Sequence, residues 1–248
     1  MDKRIALVTG GTGGIGTAIC QTLSRLGYKV VATYSRPGRK DEAEAWLAEQ
    51  QELGMDVDIC CMDVSDYPAC EVAAAEIKSR VGSVSVLVNN AGITRDAVMR
   101  KMGRDKWDAV LGTNLDSVFY VTKQFLDDMI DQQYGRIINI SSINAQKGQF
   151  GQVNYSAAKA GMHGFTKALA QEVARKGVTV NTVSPGYVAT SMVMAIDEKV
   201  RDQIIAQIPV GRLAQPEEIA RVVAFLADEA SGFITGANIA ANGGQHMS

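Results

Sequence analysis

Short apolar runs alternate with stretches of helical periodicity along nearly the whole chain. The runs are rich in Val and Ile and are continuous rather than alternating, which is typical of strands covered by helices on both faces of a parallel sheet. Seven such runs are predicted to be strands, at residues 4–8, 29–34, 57–62, 84–90, 136–141, 178–184 and 233–240. The pattern predicts a single doubly wound, Rossmann-type α/β domain over residues 1–248, with a seven-stranded parallel sheet.

The segments between these strands have the periodicity of helices. Apolar residues recur at helical spacing after the first strand, from Ile15 through to Leu26, and we expect them to be buried. A long helical region is predicted to end near residue 133, and its apolar stripe from Val118 to Met129 fits either the core or an interface between subunits. The stretch 190–212 is too long for a tight connection, which makes it a candidate lid over a substrate.

Composition narrows the range of partners. The chain has 25 basic and 27 acidic side chains and a formal charge of −2, so it lacks the positive field that holds nucleic acid or an anionic membrane surface. With no apolar run of membrane-spanning length and no signal-peptide pattern, we expect a cytoplasmic protein that acts on a small molecule. The four cysteines form no C-x-x-C pair and the two histidines lack zinc-ligand spacing, so no metal site is expected. We expect His163 to be a packing residue.

The first predicted strand runs directly into TGGTGGIG, residues 9–16, and a helix follows. Glycines at such a turn let the backbone approach a pyrophosphate closely, and the free amides of the helix N-terminus favour negative charge. The letters match both G-x-G-x-x-G and the more restrictive T-G-x-x-x-G-x-G, which uses Gly10, Gly14 and Gly16. The turn predicts a dinucleotide site, with a merely tight glycine turn as the alternative.

The end of the second strand indicates which dinucleotide is bound. An NAD site would have an acidic residue there to accept the ribose hydroxyls, but the chain has Ser35 and Arg36, with Arg39 and Lys40 close behind. A guanidinium attracts the 2′-phosphate that a carboxylate would repel, so NADP(H) is favoured. The alternative is that Arg36 is an ordinary solvated charge.

Tyr155 and Lys159 stand one helical turn apart in NYSAAKAG and share a helix face. The pair alone is a weak motif, and helix packing explains it equally well. A tyrosine with a pKa of about 10 needs a shift of about 3 units to exchange protons readily near neutrality. One positive charge about 4 Å away supplies approximately that energy, so we expect Lys159 to lower the pKa of Tyr155.

Other polar residues follow the predicted strand ends in a fixed order. They are Asn114 in GTNL, Ser142 in NISS, the segment NNAG at residues 89–92, and PG at residues 185–186. Together with the glycine turn and with Tyr155 and Lys159, they resemble the short-chain dehydrogenase/reductase family over the whole chain. The resemblance implies an NADP(H)-dependent oxidoreductase in which Tyr155 donates a proton, Ser142 binds the substrate oxygen and Lys159 also holds the nicotinamide ribose. It further implies a water-mediated proton relay at Asn114.

The resemblance also implies a set of cofactor contacts. Asp63 and Val64 are expected near the adenine, and Val188 and Thr190 near the nicotinamide amide. The full expected set, besides Tyr155 and Lys159, is Gly10, Thr12, Gly14, Ile15, Gly16, Ser35, Arg36, Asp63, Val64, Asn90, Gly92, Pro185, Gly186, Val188 and Thr190.

Within the family, the runs GITRDAVMRKM, QKGQFGQVNYS and NGGQHM are most similar to the reductases of polyhydroxybutyrate synthesis. This similarity implies reduction of acetoacetyl-CoA to (R)-3-hydroxybutyryl-CoA in a short-acyl site shaped by Gln149, Phe150, Gln152 and Tyr187, although Phe150 also fits simple packing. It implies a homotetramer as well.

The competing substrate is the 3-oxoacyl group on an acyl-carrier protein, because reductases of fatty-acid synthesis share the same motifs. Carrier proteins are acidic, whereas this chain has Asp127, Asp128 and Asp131 before the fifth strand, although Lys176 offers one basic contact. The acidic segment disfavours a carrier protein without excluding it, since it also fits an ordinary solvated face. A dinucleotide-sensing regulator remains a remote alternative, because a sensor has no need of the tyrosine and lysine.

Overall fold

The computed structural model of the protein describes residues 3–247. Within these residues there are seven strands: β1 (Ile5–Val8), β2 (Lys29–Tyr34), β3 (Val57–Cys61), β4 (Val84–Asn89), β5 (Gly135–Ile140), β6 (Val178–Pro185) and β7 (Asn238–Ala241). They form one sheet in the order β3-β2-β1-β4-β5-β6-β7, and every neighbouring pair is parallel. The predicted doubly wound α/β fold is therefore confirmed.

Helices cover both faces of this sheet. Within residues 3–247 they are α1 (Gly14–Arg25), α2 (Lys40–Glu52), α3 (Tyr67–Arg80), α4 (Arg104–Leu111), α5 (Ser117–Asp131), α6 (Asn144–Lys147), α7 (Val153–Val173), α8 (Ser191–Met194), α9 (Glu198–Ile205) and α10 (Pro216–Ala227). Ala6 and Val8 of β1 face a core shared with α1 and α10, whereas Leu7 faces a second core shared with α3, α5 and α7. In the described part of the chain, no helix combines the length and the apolar character needed to span a membrane.

The long helical region predicted to end near residue 133 is interrupted. A π-helical turn, Gly112–Asp116, separates α4 from α5 and contains Asn114. A π turn inserts one extra residue and changes the direction in which the following side chains point. The apolar periodicity of α5 consequently starts anew after the turn.

Two side-chain predictions have definite outcomes. The apolar stripe of α5 is buried within its own subunit, since Val118, Val121, Phe125 and Met129 are each at most 1% exposed in the single chain. That stripe therefore belongs to the core. The prediction for Leu26 was wrong, because Leu26 is 60% exposed: it follows the last residue of α1, where the chain turns towards β2.

The amino-terminal ends of the strands are held together by arginines. Arg136 is 3% exposed and donates hydrogen bonds to the backbone carbonyls of Asp228 and Glu229, which follow α10. Its guanidinium lies 4.4 Å from the centroid of the Tyr134 ring, and that of Arg4 lies 3.8 Å from the same centroid. This cation–aromatic–cation stack joins β1, β5 and α10 at the edge opposite the polar strand ends.

Candidate active site

The glycine turn between β1 and α1 is packed too tightly to admit side chains at its key positions. Gly10 has a φ of +61°, a backbone conformation that favours glycine. A Cβ on Gly14 would lie 2.9 Å from Cγ2 of Thr190, and one on Gly16 would lie 2.9 Å from Cα of Gly11. Gly14 and Thr190, both expected cofactor contacts, therefore lie against each other. Because its glycines have no side chains, the turn presents its backbone directly to a ligand.

Asn90 ties this turn to the end of β4. Its side-chain amide donates hydrogen bonds to the carbonyls of Thr9 and Gly10 at 2.9 and 3.3 Å, and its backbone amide donates to Oγ1 of Thr9 at 2.9 Å. We predicted Asn90 as a cofactor contact. The structure places its side chain against the glycine turn. Its hydrogen bonds fix the backbone of residues 9–16, the glycine cradle.

The four residues expected to be catalytic converge beyond the carboxyl ends of β4 and β5. A Cβ added to Gly92 would lie 2.5 Å from Oδ1 of Asn114 and 3.4 Å from Nζ of Lys159, so both side chains border that glycine. Nζ of Lys159 lies 5.7 Å from the centroid of the Tyr155 ring. The Ser142 side chain acts on the pKa of Tyr155, so it belongs to the same site as the other three residues.

Asn114 is fully buried in the π turn. Its Oδ1 accepts a hydrogen bond from the Ile93 amide at 3.1 Å, while Nδ2 donates to the carbonyls of Ile93 and Val110, each at 2.9 Å. These bonds use the side chain to anchor the loop after β4 to the helix. The expected water relay at Asn114 stays a prediction.

Lys159 is 3% exposed, and its ammonium group donates a hydrogen bond to the carbonyl of Ile140, the last residue of β5, at 2.8 Å. Burial lowers the pKa of Lys159 from 10.5 to about 7, because a charged ammonium loses its hydration there. The side chain is therefore near its titration midpoint at neutral pH. A ligand that offers negative charge or hydrogen-bond acceptors would favour its protonated form.

The expected lowering of the Tyr155 pKa is not found. Burial raises the pKa of Tyr155, the Ser142 hydrogen bond partly opposes this, and the negative charge of Asp96 raises it further. The sequence argument placed a full lysine charge about 4 Å from the phenol, whereas the ammonium group is engaged with Ile140 and is itself desolvated. Tyr155 is consequently held in its protonated form, which a proton donor requires.

A hydrogen-bonded chain behind α7 fixes the position of Lys159. Oγ of Ser141 donates to the Lys159 carbonyl at 2.9 Å and lies 3.0 Å from Nε2 of His163. Oγ of Ser184 donates to Oδ1 of Asn238 at 2.7 Å and lies 3.4 Å from the same His163 nitrogen. Both hydroxyls act as acceptors at these contacts if Nε2 of His163 carries the proton. His163 packs against the sheet, as predicted, and contacts both hydroxyls through Nε2.

The remaining expected cofactor contacts lie along the same edge of the sheet. Ser35 and Arg36 are exposed just after β2, and Thr12 and Ile15 are part of the glycine turn and the first turn of α1. Oδ1 of Asp63 accepts hydrogen bonds from the amide and hydroxyl of Ser65 in the turn before α3.

Val64, which stands between Asp63 and Ser65, is buried. On the other side of the cradle, Pro185 ends β6, Gly186 is packed against Asn242, and Val188 pairs with Ala214.

Three of the four expected substrate residues border α7, the helix that carries Tyr155 and Lys159. The Gln152 side chain accepts a hydrogen bond from the side-chain amide of Asn144 and donates one to the carboxylate of Asp96, each at 2.9 Å. Gln149 accepts one from Lys147 at 3.3 Å, and Phe150 is 87% exposed, so Phe150 is not a packing residue within this chain.

The fourth expected substrate residue, Tyr187, is half-buried. Burial raises the pKa of Tyr187, and the charge of Asp96 raises it further. Asp96 therefore lies close to both site tyrosines, and sequence reasoning did not single it out. The signal available was its position in ITRD, within the loop that follows β4.

The arrangement fits a dinucleotide on structural grounds. The cradle around Gly14 and Gly16 is closed to side chains but open to a pyrophosphate at the N-terminus of α1, where the helix dipole favours anions. Gly92 lies against Asn114 and Lys159, so these two side chains border the loop that follows β4, the strand next to the one that leads into the glycine turn. No cluster of side chains suited to a metal ion occurs among residues 3–247.

Comparisons with known proteins agree with this geometry. The family model described as short chain dehydrogenase matches residues 4–201. The chain is 60% identical over 247 residues to an acetoacetyl-CoA reductase of Cupriavidus necator, with 100% of both chains covered. It is 41% identical over 248 residues to a 3-oxoacyl-[acyl-carrier-protein] reductase of Haemophilus influenzae, again with full coverage of both. A crystal structure of a putative gluconate dehydrogenase from Agrobacterium tumefaciens matches with a TM-score of 0.92 at 32% identity, covering 98% of this chain and 95% of that one.

The chain belongs to the short-chain dehydrogenase/reductase family. It is an oxidoreductase of this family and binds a nicotinamide dinucleotide. The regulator alternative is thereby set aside.

Burial of Lys159 predicts a pH-dependent contribution to stability. Between pH 7 and 10.5 the unfolded chain binds a proton on this lysine that the folded, ligand-free chain does not, so stability rises with pH across that window. The measured quantity is the difference in unfolding free energy between the wild type and Lys159→Met. From pH 7 to pH 10 this difference should shift in favour of the wild type by roughly 4 kcal/mol or less. Urea unfolding at a series of pH values measures this. Lys147→Met, at an exposed lysine, is the control; a flat difference for Lys159→Met would contradict the assignment.

Proposed function

We propose that the protein reduces acetoacetyl-CoA to (R)-3-hydroxybutyryl-CoA with NADPH, as a cytoplasmic step of polyhydroxybutyrate synthesis. The observation that carries the proposal is the convergence of Ser142, Tyr155 and buried Lys159 beside the glycine cradle. Support for the substrate comes from the name of the curated relative at 60% identity over the whole chain.

Ser142, Tyr155 and Lys159 have different proposed roles in the reduction of the substrate carbonyl. Ser142 accepts a hydrogen bond from the backbone amide of Asn144 at 3.1 Å, and its hydroxyl is proposed to donate to the substrate oxygen. Tyr155, whose raised pKa keeps it protonated, donates a second hydrogen bond and then the proton to that oxygen as negative charge develops. The bound cofactor supplies the hydride to the carbonyl carbon. Lys159 in its charged form stabilises the tyrosinate that remains.

The acyl group is proposed to lie among Gln149, Phe150, Gln152 and Tyr187. The strongest support concerns Gln152, whose amide is fixed by Asn144 and Asp96 on either side. Segment 190–212, which includes α8 and α9, is proposed to close over this site and exclude water. Exposed Met192 and Met194 give it an apolar surface to place on the bound substrate.

A homotetramer is proposed from the resemblance, with two apolar surfaces in its support. Phe119 on α5 is 51% exposed and stacks on Tyr67 with ring centroids 6.3 Å apart. Phe225 and Phe233 are 53% and 102% exposed near β7. Large exposed aromatic side chains are typical of interfaces. A monomeric mass in light scattering at assay concentration would contradict this proposal.

Coenzyme A is preferred over an acyl-carrier protein on grounds of charge. Asp127 and Asp131 are exposed at the end of α5, and Asp128 forms an ion pair with Lys78 at 3.0 Å. An acidic carrier protein docked on this surface would be repelled. The specificity constant for acetoacetyl-CoA should therefore exceed that for acetoacetyl-carrier protein when both are assayed with NADPH. A higher value for the carrier-protein thioester would favour a role in fatty-acid synthesis instead.

Replacing Arg36 should change the cofactor preference. Arg36 is exposed and extended just beyond β2, where a carboxylate would accept ribose hydroxyls and repel a 2′-phosphate. Arg36→Asp is expected to shift the ratio of the NADPH and NADH specificity constants towards NADH by at least tenfold, which corresponds to about 1.4 kcal/mol. Steady-state kinetics with both cofactors measure the ratio. An unchanged ratio would assign the cofactor preference to Arg39 or Lys40 without a contribution from Arg36.

Removing the Tyr155 hydroxyl should abolish the chemical step. Tyr155→Phe deletes the proton donor but keeps the ring, so we expect kcat to fall by at least about 100-fold while NADPH affinity changes by only a fewfold. Kinetics and fluorescence titration measure the two quantities. Tyr67→Phe, on α3, serves as the control. If the Tyr155→Phe variant keeps more than about a tenth of wild-type kcat when chemistry limits turnover, another group is the proton donor.

A further inference from the structure

We propose that Glu42 competes with the cofactor 2′-phosphate for Arg39 and thereby limits the affinity for NADP(H). This inference rests on the proposed NADPH dependence and concerns the same binding site. It makes Glu42 a residue that determines cofactor affinity without being a ligand of the cofactor.

A cavity of about 330 Å³ lies between the glycine turn and α2. Its lining includes Thr12 of the turn, Tyr34 at the end of β2, and Arg39, Glu42, Trp46 and Glu49 on the helical side. In a doubly wound fold, the region beyond the end of the second strand is where the adenosine ribose is recognised. The cavity is thus at the place where a 2′-phosphate would project.

Arg39 is the basic residue that lines this cavity, and its guanidinium is already engaged. Its Nε and Nη2 donate to the same oxygen of Glu42, Oε2, at 2.9 and 2.7 Å. These two parallel N–H groups form the fork with which an arginine grips a phosphate in a bidentate manner. Glu42 therefore occupies the donor groups that the 2′-phosphate would use.

The pair is weak enough to be exchanged. The side chains of Arg39 and Glu42 are 50% and 66% exposed, and ion pairs between such solvated groups contribute little to stability. A phosphate dianion can displace the carboxylate from the fork, but Glu42 then remains unpaired close to two added negative charges. The loss of the Arg39–Glu42 pair offsets part of the attraction between Arg39 and the phosphate. This lowers the affinity for NADP(H) and favours release of the oxidised cofactor.

Glu49 provides a matched comparison on the same helix. It also lines the cavity with a carboxylate, but the Arg39 fork is directed at Glu42. A general effect of negative charge in the cavity would involve both glutamates, whereas competition for Arg39 concerns Glu42 alone.

The test is a fluorescence titration of NADPH and NADH against Glu42→Gln and Glu49→Gln at low ionic strength. Glutamine preserves the size of the side chain and removes the charge. Glu42→Gln is expected to lower the dissociation constant for NADPH roughly three- to tenfold and to leave that for NADH within twofold. Glu49→Gln should change the NADPH constant by less than twofold. Equal effects of the two variants would overturn the proposal in favour of general electrostatics.

A double-mutant cycle with Arg39→Gln tests whether Glu42 acts through that arginine. Introduced into the Arg39→Gln background, Glu42→Gln should no longer tighten NADPH binding. Persistence of the full effect there, or an unchanged NADPH constant for Glu42→Gln in the wild-type background, would overturn the inference. Preference of the wild type for NADH would instead refute the proposed function, so the two failures are distinguishable.

Discussion

The ammonium group of Lys159 lies against the carbonyl of Ile140 with only 3% of the residue exposed, and the site is arranged around that contact. The next residue, Ser141, donates a hydrogen bond to the lysine backbone carbonyl, and the side chain of the one after it, Ser142, acts on the pKa of Tyr155. Three consecutive residues at one strand end thus position one helix. Because the sheet is parallel, the glycine cradle lies at the same edge of the sheet as Tyr155 and Lys159.

Burial shifts the pKa values of the lysine and the tyrosine in opposite directions. It lowers the pKa of Lys159 to about 7 and raises the pKa of Tyr155, so both groups tend towards their neutral forms. A neutral phenol suits carbonyl reduction, because the proton to be donated is in place beforehand. In the proposed reaction the lysine charge is needed later, when the tyrosinate forms. On that proposal, desolvation prepares the tyrosine as a proton donor, and the lysine charge then stabilises the tyrosinate.

The sequence was sufficient for the parallel sheet and for the residues that meet at its polar edge, because strand runs, the glycine turn and fixed motif order are local signals. The π turn around Asn114 was not predicted, since one inserted residue leaves helical composition unchanged. The Tyr155 pKa was predicted in the wrong direction because desolvation depends on packing that spacing does not reveal. The engagement of Arg39 by Glu42 and the closeness of Asp96 to the site tyrosines likewise depend on side-chain geometry.

At the opposite edge of the sheet, Arg136 caps the carbonyls after α10, and Arg4 and Arg136 enclose the Tyr134 ring. This end joins separate elements of the scaffold and carries none of the proposed chemistry. The loops proposed to face the substrate and segment 190–212 follow the other ends of the strands, away from the arginine stack. The consequence is evolvability: a duplicated gene can explore new substrates by altering one end while the other keeps the scaffold folded.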